Sequence, residues 1–245
     1  MKAMIFAAGL GTRLRPLTDR MPKALVPVGG VPMLERVIGK LKAAGFTEFV
    51  VNVHHFASQI EDFLAENCNF GVHIDISRET DHPLETGGGI RRAEPFLKDG
   101  RFLVHNVDIL SDLDLRGFVA ADDPSSLATL LVTDSEDTDR FLLFDDAMCL
   151  AGWINVRTGE VKSPYPDFDP SKYRRLSFCG IHVISPEVFE LMRGWPEKFS
   201  IIDFYLNMAA TRKIRAVYAP GLKVIDIGSP EKLAEADRII SRRNL

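Results

Sequence analysis

The sequence is poor in cysteine and has no long apolar run, and these two absences exclude several classes of protein. Its three cysteines among 245 residues, Cys68, Cys149 and Cys179, lie far apart and form no Cys-x-x-Cys pair. Such thiols form neither a disulfide framework nor a thiolate metal site, so we expect reduced cysteines in a cytoplasmic protein. No stretch approaches the roughly 20 apolar residues of a membrane-spanning helix, and we expect no membrane partner.

The chain also lacks an excess of positive charge. Its formal net charge is −4, and 46% of its residues are hydrophobic and 26% charged. An acidic average of this kind provides no general attraction for nucleic acid, so we expect no nucleic-acid partner. A chain of this length can bury a full core, and the absence of internal repeats and long linkers favours one domain over residues 1–245.

A glycine-rich basic turn near the N-terminus departs from this acidic average. It follows a short apolar run at 3–7, which predicts a buried first strand because it is too short for a signal peptide. Glycines let backbone N–H groups approach anionic oxygens, and arginine and lysine add positive charge, so the turn predicts a polyphosphate site. We interpret Arg15 and Arg20 as surface charges. The turn reads Ala7-Ala8-Gly9-Leu10-Gly11-Thr12-Arg13-Leu14-Arg15-Pro16 and closes at Met21-Pro22-Lys23.

Apolar runs alternate with helical patterns through the first half, which is typical of βαβ units in a mostly parallel sheet. The second half is less regular and includes a predicted hairpin and a proline-rich loop at 163–170. The predicted helices are 31–44, 57–65, 90–96, 115–121, 186–192, 201–210 and 231–241. The predicted strands are 49–53, 72–76, 101–107, 126–132, the hairpin 141–144 and 148–154, 176–184, 214–219 and 223–225.

Two acidic residues close two separate apolar strands: Asp108 follows 101–107 and Asp226 follows 223–225. In open α/β sheets, ligand sites gather outside the carboxyl ends of the strands. Two carboxylates that meet at this edge would suit Mg²⁺, a hard ion that accepts carboxylates together with phosphate oxygens. The alternative for Asp108 is a cap on the following helix. Strand-end histidines at 54, 55 and 73 have no metal-site spacing, and we interpret them as neutral side chains.

The N-terminal motif resembles the signature of the sugar-1-phosphate nucleotidylyltransferases. That signature is Ala-Ala-Gly-x-Gly-Thr-Arg-Leu-x-Pro-Leu-Thr and then Pro-Lys-x-Leu-x-Pro-Val, which match 7–18 and 22–28. The turn lacks the Gly-Lys-Ser/Thr ending of a Walker A loop, and Leu14 replaces the third glycine of a dinucleotide fingerprint. The resemblance implies a Rossmann-like three-layer α/β/α fold with a mostly parallel mixed sheet, with a nucleotide-binding half at 1–135 and a sugar-binding half at 136–245.

The resemblance also implies roles for individual residues. Asn106-Val107-Asp108 and Asp226-Ile227-Gly228-Ser229-Pro230 resemble the two family motifs that hold the metal, although Val107 replaces the usual glycine. The implied catalytic residues are Arg13, Lys23, Asp108 and Asp226, with Mg²⁺ on Asp108 and Asp226. The implied nucleotide-binding residues are Ala8, Gly9, Gly11, Thr12, Arg13, Lys23, Glu85, Gly87, Gly88 and Asn106.

Two further segments resemble substrate-facing parts of the family. Glu85-Thr86-Gly87-Gly88-Gly89 resembles the loop that faces base and ribose, and its alternative is a simple turn into the helix at 90–96. The implied sugar-binding residues are Asn155, Gly180 and Asp203. At 152–155, many relatives have a Glu-Lys-Pro motif whose lysine touches the sugar phosphate, and that lysine is absent here. Lys162, Arg174 or Arg175 could replace it.

A protein of this family joins a nucleoside triphosphate to a sugar 1-phosphate and releases pyrophosphate. The nearest resemblance is to the compact N-acetylmuramate-1-phosphate uridylyltransferases of cell-wall (peptidoglycan) recycling, which implies UTP and N-acetylmuramic acid 1-phosphate as substrates. The alternatives are a guanylyltransferase acting on mannose or heptose 1-phosphate, and a non-catalytic, nucleotide-sensing regulatory subunit. Leu14 disfavours a nicotinamide-dependent dehydrogenase. No C-terminal β-helix follows, so acetyltransferase activity is not expected, and the sequence leaves the oligomeric state open.

Overall fold

The structure is a computed structural model that describes residues 1–243. In chain order, the strands are β1 (Lys2–Phe6), β2 (Pro27–Val28), β3 (Val31–Pro32), β4 (Glu48–Val53), β5 (His73–Arg78), β6 (Phe102–Asn106), β7 (Ile109–Ser111), β8 (Ala128–Thr133), β9 (Arg140–Phe144), β10 (Leu150–Asn155), β11 (Val161–Lys162), β12 (Arg174–Ile184), β13 (Ile214–Tyr218) and β14 (Val224–Asp226). The helices are α1 (Met33–Ala43), α2 (Ala57–Glu66), α3 (Glu85–Arg92), α4 (Glu94–Leu97), α5 (Leu115–Ala120), α6 (Glu187–Leu191), α7 (Ile201–Met208) and α8 (Pro230–Arg243).

A large mixed sheet forms the centre of the fold. β5, β4, β1 and β6 lie side by side and run parallel. β12 joins antiparallel to β6, and β8 lies antiparallel to β12 and parallel to β13. The predicted central sheet, mixed and mostly parallel, is confirmed. β9, β10 and β11 extend it as an antiparallel flank that begins at the first residues of β12. The division at residue 135 stays a prediction.

Helices cover both faces of this sheet, so its central strands are apolar on both sides. In β1, Ile5 faces the core formed with α1, α2, α5 and α8, while Met4 faces the core formed with α3, α4, α6 and α7. α1 shows the sequence basis of this packing, because Leu34, Ile38 and Leu41 recur at helical spacing and are completely buried. No helix within residues 1–243 has the length and apolarity that would let it cross a membrane.

Several elements differ from the sequence prediction, and two of these differences bear on the site. The predicted helix 31–44 begins at Met33, since Val31 and Pro32 instead pair with β2 in a short hairpin. The positive φ angles of Gly29 and Gly30, 56° and 76°, form the turn of this hairpin. Pro32 therefore immediately precedes the helix rather than lying in its first turn, a position that suits its extended backbone.

The second difference is an antiparallel ribbon of β7 and β14, which lies outside the main sheet; β7 was not predicted. Asp226 pairs with Ile109, and the N–H of Ile227 donates to the carbonyl oxygen of Asp108 at 2.9 Å. The ribbon therefore joins two segments that are distant in the chain. It places Asp226 opposite Ile109, the residue after Asp108, so the two acids are neighbours in space.

Candidate functional site

The basic turn after β1 is held in place by its own hydrogen bonds. The carbonyl oxygen of Gly11 accepts from the Thr18 hydroxyl and from the N–H of Leu14, both at 2.8 Å. Gly11 has a φ of 64°, and a Cβ there would lie 2.8 Å from the Thr18 methyl group, so the position requires glycine. Leu14 is buried beneath the turn, while Arg13 remains exposed and free to face a ligand.

Four predicted catalytic residues meet where this turn approaches the β7–β14 ribbon. The ammonium group of Lys23 forms an ion pair with Oδ2 of Asp108, and Lys23 is only 8% exposed. A Cβ placed on Gly228 would lie 2.6 Å from Nη2 of Arg13 and 3.1 Å from Oδ1 of Asp226. The backbone of Gly228 thus lies against both side chains, and the structure brings Arg13, Lys23, Asp108 and Asp226 into one cluster.

Two carboxylates of this cluster, those of Asp108 and Asp226, could hold a divalent cation. Asp226 as a whole residue is exposed, yet the pKa of its carboxyl group is raised, first by loss of water around it and then by the negative charge of Asp108. Lys23 and Arg13 act in the opposite direction. Two hard oxygen donors that repel one another form a donor set that Mg²⁺ accepts. Asp108 caps no helix, because Asp114 caps α5 by accepting from the N–H of Arg116.

Asn106 and Gly180 meet at the neighbouring strand end. Gly180 has a φ of 67° at an irregularity in the pairing of β12 with β8, and a Cβ there would lie 2.7 Å from Nδ2 of Asn106. Asn106 ends β6, two residues before Asp108. The contact therefore places Gly180, a predicted sugar-binding residue, beside Asn106, a predicted nucleotide-binding residue. The irregularity in β12 and the contact with Asn106 both require a residue without a side chain.

The glycine run is helical, so its prediction as a loop was wrong. Gly87 and Gly88 lie inside α3 and donate their backbone N–H groups to the carbonyl oxygen of Phe199, at 2.9 and 3.3 Å. A Cβ on Gly87 would lie 2.9 Å from that oxygen, and one on Gly88 would overlap the carbonyl oxygen of Glu197. Close packing against the segment before α7 therefore overrides the low helix propensity of glycine. The predicted role of these residues in nucleotide binding is untouched by this correction.

Glu79 is a buried acid that the sequence analysis missed. It directly follows β5, and its two carboxylate oxygens accept from Nδ2 of Asn52 at 2.9 Å and from the N–H of Leu84 at 2.7 Å. Nδ1 of His54 lies 2.9 Å from its carbonyl oxygen. The last residues of β4 thus fix Glu79, and Glu79 fixes the start of α3. The sequence contains no comparable signal for Glu79, because β5 reads His-Ile-Asp-Ile-Ser-Arg and is not apolar like the strand that precedes Asp108.

The predicted sugar-side residues are less concentrated. Asp203, on α7, pairs with Lys162 of β11 at 3.1 Å, and the Lys162 ammonium lies 5.2 Å from the centre of the Trp153 ring. Asn155 is buried, and its Oδ1 accepts from the N–H groups of Arg157 and Thr158. The structure therefore brings Asp203 and Lys162 together, whereas the carboxamide oxygen of Asn155 is engaged within its own turn.

Arg174 and Arg175, the other candidates for the missing lysine, contact aromatic rings on β13 and β9. The Arg174 guanidinium lies 3.9 Å from the centre of the Tyr218 ring, and that of Arg175 lies 4.8 Å from the centre of the Phe141 ring. Of the three candidates, Lys162 is the one that contacts a predicted sugar-binding residue.

Known proteins resemble this chain in both sequence and architecture. A family model described as nucleotidyl transferase matches residues 2–143. The chain is 48% identical over 204 residues to N-acetylmuramate alpha-1-phosphate uridylyltransferase of Neisseria meningitidis, covering 78% of each chain. It is 34% identical over 248 residues to the protein of that name from Caulobacter vibrioides, covering 97% of this chain and 96% of the other. It is also 38% identical over 145 residues to mannose-1-phosphate guanyltransferase of Gibberella zeae, covering 58% and 40%.

Solved structures support the fold. HddC from Yersinia pseudotuberculosis, complexed with GMP-PN, has a TM-score of 0.77 at 23% identity and covers 98% of this chain and 99% of its own. An apo UDP-glucose pyrophosphorylase has a TM-score of 0.79 at 18% identity, with complete coverage of both chains. The Rossmann-like three-layer fold predicted from the sequence is therefore confirmed.

Proposed function

The chain belongs to the nucleotidyl transferase family, and from that premise we propose that it transfers a uridylyl group from UTP to N-acetylmuramic acid 1-phosphate. The products are the UDP-sugar and pyrophosphate. Its relatives are sugar-1-phosphate nucleotidyltransferases, and two of the similar proteins carry this muramate activity in their names. The observation that carries the proposal is the meeting of Arg13, Lys23, Asp108 and Asp226 beside the glycine turn.

The chemistry of the two substrates explains why the site consists of charges and backbone groups. A phosphate oxygen of the sugar 1-phosphate attacks the α-phosphorus of UTP, and the bond to pyrophosphate breaks. This nucleophile is already an anion at neutral pH, so the site requires no general base. The main barrier is the approach of two anions and the charge on the in-line transition state. Arg13 and Lys23 offset that charge along the phosphates.

Asp108 and Asp226 are the residues that would hold Mg²⁺. When bound there, the ion supplies positive charge to the phosphate oxygens and a template for their orientation. The backbone of the basic turn, at Ala8, Gly9, Gly11 and Thr12, holds the phosphates through N–H groups. The start of α3, with Glu85, Gly87 and Gly88, and the strand end at Asn106 line the base and ribose.

The sugar 1-phosphate enters between β12 and α7, where Gly180 and Asp203 contact it. Lys162 takes the position of the lysine that the Glu-Lys-Pro motif provides in many relatives, because it lies beside Asp203 and has an exposed ammonium group. We place the reaction in the cytoplasm, where unpaired cysteines such as Cys68, Cys149 and Cys179 persist, and in the recycling of peptidoglycan sugars.

A substrate matrix tests the proposal. Each of four nucleoside triphosphates is incubated with Mg²⁺ and one of several sugar 1-phosphates, including those of N-acetylmuramic acid, N-acetylglucosamine, mannose and heptose, and pyrophosphate release is measured. We expect the highest kcat/KM for UTP with N-acetylmuramic acid 1-phosphate. A preference for GTP with mannose 1-phosphate would instead support the guanylyltransferase alternative, which the relative from Gibberella zeae favours. Nucleotide binding without turnover in any combination would indicate a regulatory subunit.

A further inference from the structure

The ion pair of Lys23 and Asp108 occupies one of the two acids that would hold the metal. Lys23 lies in the short helical turn Lys23–Leu25, packed against the basic turn, and its ammonium group contacts Oδ2 of Asp108. Its side chain is 10% exposed and that of Asp108 is 21% exposed, so the pair is largely removed from water. A divalent ion that uses Oδ2 of Asp108 must therefore first displace this ammonium group.

The charges around the pair oppose a bare divalent ion. Asp108 and Asp226 supply two negative charges, and Lys23 and Arg13 supply two positive charges within the same cluster. Lys232 adds a further positive charge that acts on Asp226. A divalent ion alone thus enters a cluster that is already neutralised. It would also leave the buried ammonium of Lys23 without a partner, which is costly when water is excluded.

A triphosphate changes this balance because it brings several negative charges. The flexible side chain of Lys23 can then exchange the carboxylate of Asp108 for a phosphate oxygen, so that its ammonium group keeps an anionic partner. The same movement frees Oδ2 of Asp108.

We propose that Lys23 is a placeholder for the divalent ion, held on Asp108 until the triphosphate draws it away, so that metal and nucleotide bind strongly only together. The inference rests on the proposed function, which assigns the metal to Asp108 and Asp226. It gives Lys23 a role in the free protein in addition to its contact with phosphate. Since coupling between two ligands is reciprocal, metal must strengthen nucleotide binding by the same factor.

Binding of Mn²⁺, followed by the electron paramagnetic resonance signal of the free ion, tests the coupling without turnover. The wild-type protein should bind Mn²⁺ weakly alone and tightly with UTP. Lys23→Met should bind Mn²⁺ at least about tenfold more tightly than the wild type in the absence of UTP. The same variant should bind Mn²⁺ with UTP less tightly than the wild type, because a phosphate contact is lost. A general loss of structure would weaken both.

Matched variants separate the ion pair from general electrostatics. Lys23→Arg keeps a cation on Asp108 and should keep Mn²⁺ binding weak without UTP. Arg15→Met removes an exposed cation of the same turn, whose guanidinium group forms an ion pair with Asp19. This variant should leave the Mn²⁺ affinity unchanged. Asp226→Asn should abolish the tight binding seen in Lys23→Met, which locates the ion. Lys23→Gln repeats the test with a polar side chain, should Lys23→Met fold poorly.

The possible results distinguish this inference from the proposed function. If the wild-type protein without UTP binds Mn²⁺ as tightly as Lys23→Met does, Lys23 is no placeholder, although the metal site of the proposed function stands. If Arg15→Met strengthens Mn²⁺ binding as much as Lys23→Met, the effect is general charge and the inference is wrong. If no variant binds Mn²⁺ even with UTP, the proposed metal site is itself wrong and the inference falls with it.

Discussion

The proposed nucleotide side and the proposed sugar side of the site are built in different ways. On the nucleotide side, parallel strands β1, β4 and β6 end at one edge, so the residues that follow them meet although they are far apart in the sequence. On the sugar side, antiparallel strands and α7 present side chains such as Asp203 and Lys162, which engage one another. The strand topology therefore brings the proposed nucleotide-binding residues together, whereas the proposed sugar side depends on contacts between individual exposed side chains.

The largest effect is expected at Asp226 on the nucleotide side, where a substitution should lower activity and raise stability. Asp226→Asn should lower kcat by about three orders of magnitude, as loss of a metal template does. Folding raises the pKa of this carboxyl group, so its ionised form is disfavoured in the folded state and its removal at pH 7 should increase the free energy of unfolding. Pyrophosphate release and urea unfolding at pH 7 measure the two effects.

Asp108→Asn is the matched comparison for this prediction. It should lose a similar amount of turnover but should decrease the free energy of unfolding, because the largely buried ammonium of Lys23 then has no anionic partner. Near-normal turnover with Mg²⁺ in Asp226→Asn would remove that residue from the metal site. The proposed convergence on the nucleotide side would then be wrong.

The next largest effect is at Gly228, where a single methyl group would displace Arg13. In Gly228→Ala, the new Cβ would meet the guanidinium at 2.6 to 2.9 Å, and this flexible side chain must move away. A displacement of about 1 Å in a positioning group can lower kcat/KM about 100-fold, with little loss of stability. Steady-state pyrophosphate release and thermal unfolding measure the two quantities.

Gly39→Ala provides the control for this substitution. A Cβ at Gly39 would have open space in α1, so this variant should keep full activity and become more stable by up to about 1 kcal/mol. If Gly228→Ala is as active as Gly39→Ala, the contact of Arg13 with the β7–β14 ribbon has no part in catalysis.

The clustering of Arg13, Lys23, Asp108 and Asp226 was largely predictable, because its signals are local in the sequence. Gly11 and Lys23 belong to one continuous motif, and acids that directly follow apolar strands identified Asp108 and Asp226. The pairing of β7 with β14 was not predictable, since β7 is only three residues long and its partner is more than a hundred positions away. The helical state of Gly87 was also hidden, because it depends on contact with Phe199 and opposes local propensity.

The sugar side could be predicted only in part. Gly180 was identified by its motif, but nothing in the sequence showed that it contacts Asn106. Asn155 was chosen by its alignment with a family motif, yet its side chain is used by the turn that follows β10. The pairing of Lys162 with Asp203 depends on the approach of β11 to α7, a tertiary contact that leaves no pattern in either segment.

Two buried histidines test whether the two sides unfold together. Burial lowers the pKa of His105, on β6, to about 4 and that of His182, on β12, to about 3, from an ordinary value of 6.5. Below pH 6.5 the unfolded chain gains protons that the folded protein does not, so stability falls as the pH falls. Between pH 7 and pH 5 we expect each histidine to contribute a loss of about 2 kcal/mol.

Urea unfolding at the two pH values measures this loss, and His182→Gln should reduce it by about 2 kcal/mol. A single transition with the reduced pH dependence would mean that both sides form one cooperative unit. If His182→Gln and the wild-type protein lose the same stability, folding does not lower the pKa of His182.

The smallest expected effect is at Lys162, and it decides whether the sugar side includes β11. The pair of Lys162 with Asp203 is exposed, with side chains 44% and 49% accessible, and contributes little to stability. Its ammonium group can therefore exchange Asp203 for the phosphate of an incoming sugar at small cost. Lys162→Met should raise the KM for the sugar 1-phosphate about tenfold, equivalent to about 1.4 kcal/mol, while the KM for UTP stays unchanged.

Arg174→Met, which removes a cation that stacks on Tyr218, should change neither KM. If Arg174→Met raises the KM for the sugar 1-phosphate and Lys162→Met does not, the phosphate lies nearer to the start of β12 than to β11. In that case β11 would lie outside the proposed sugar side.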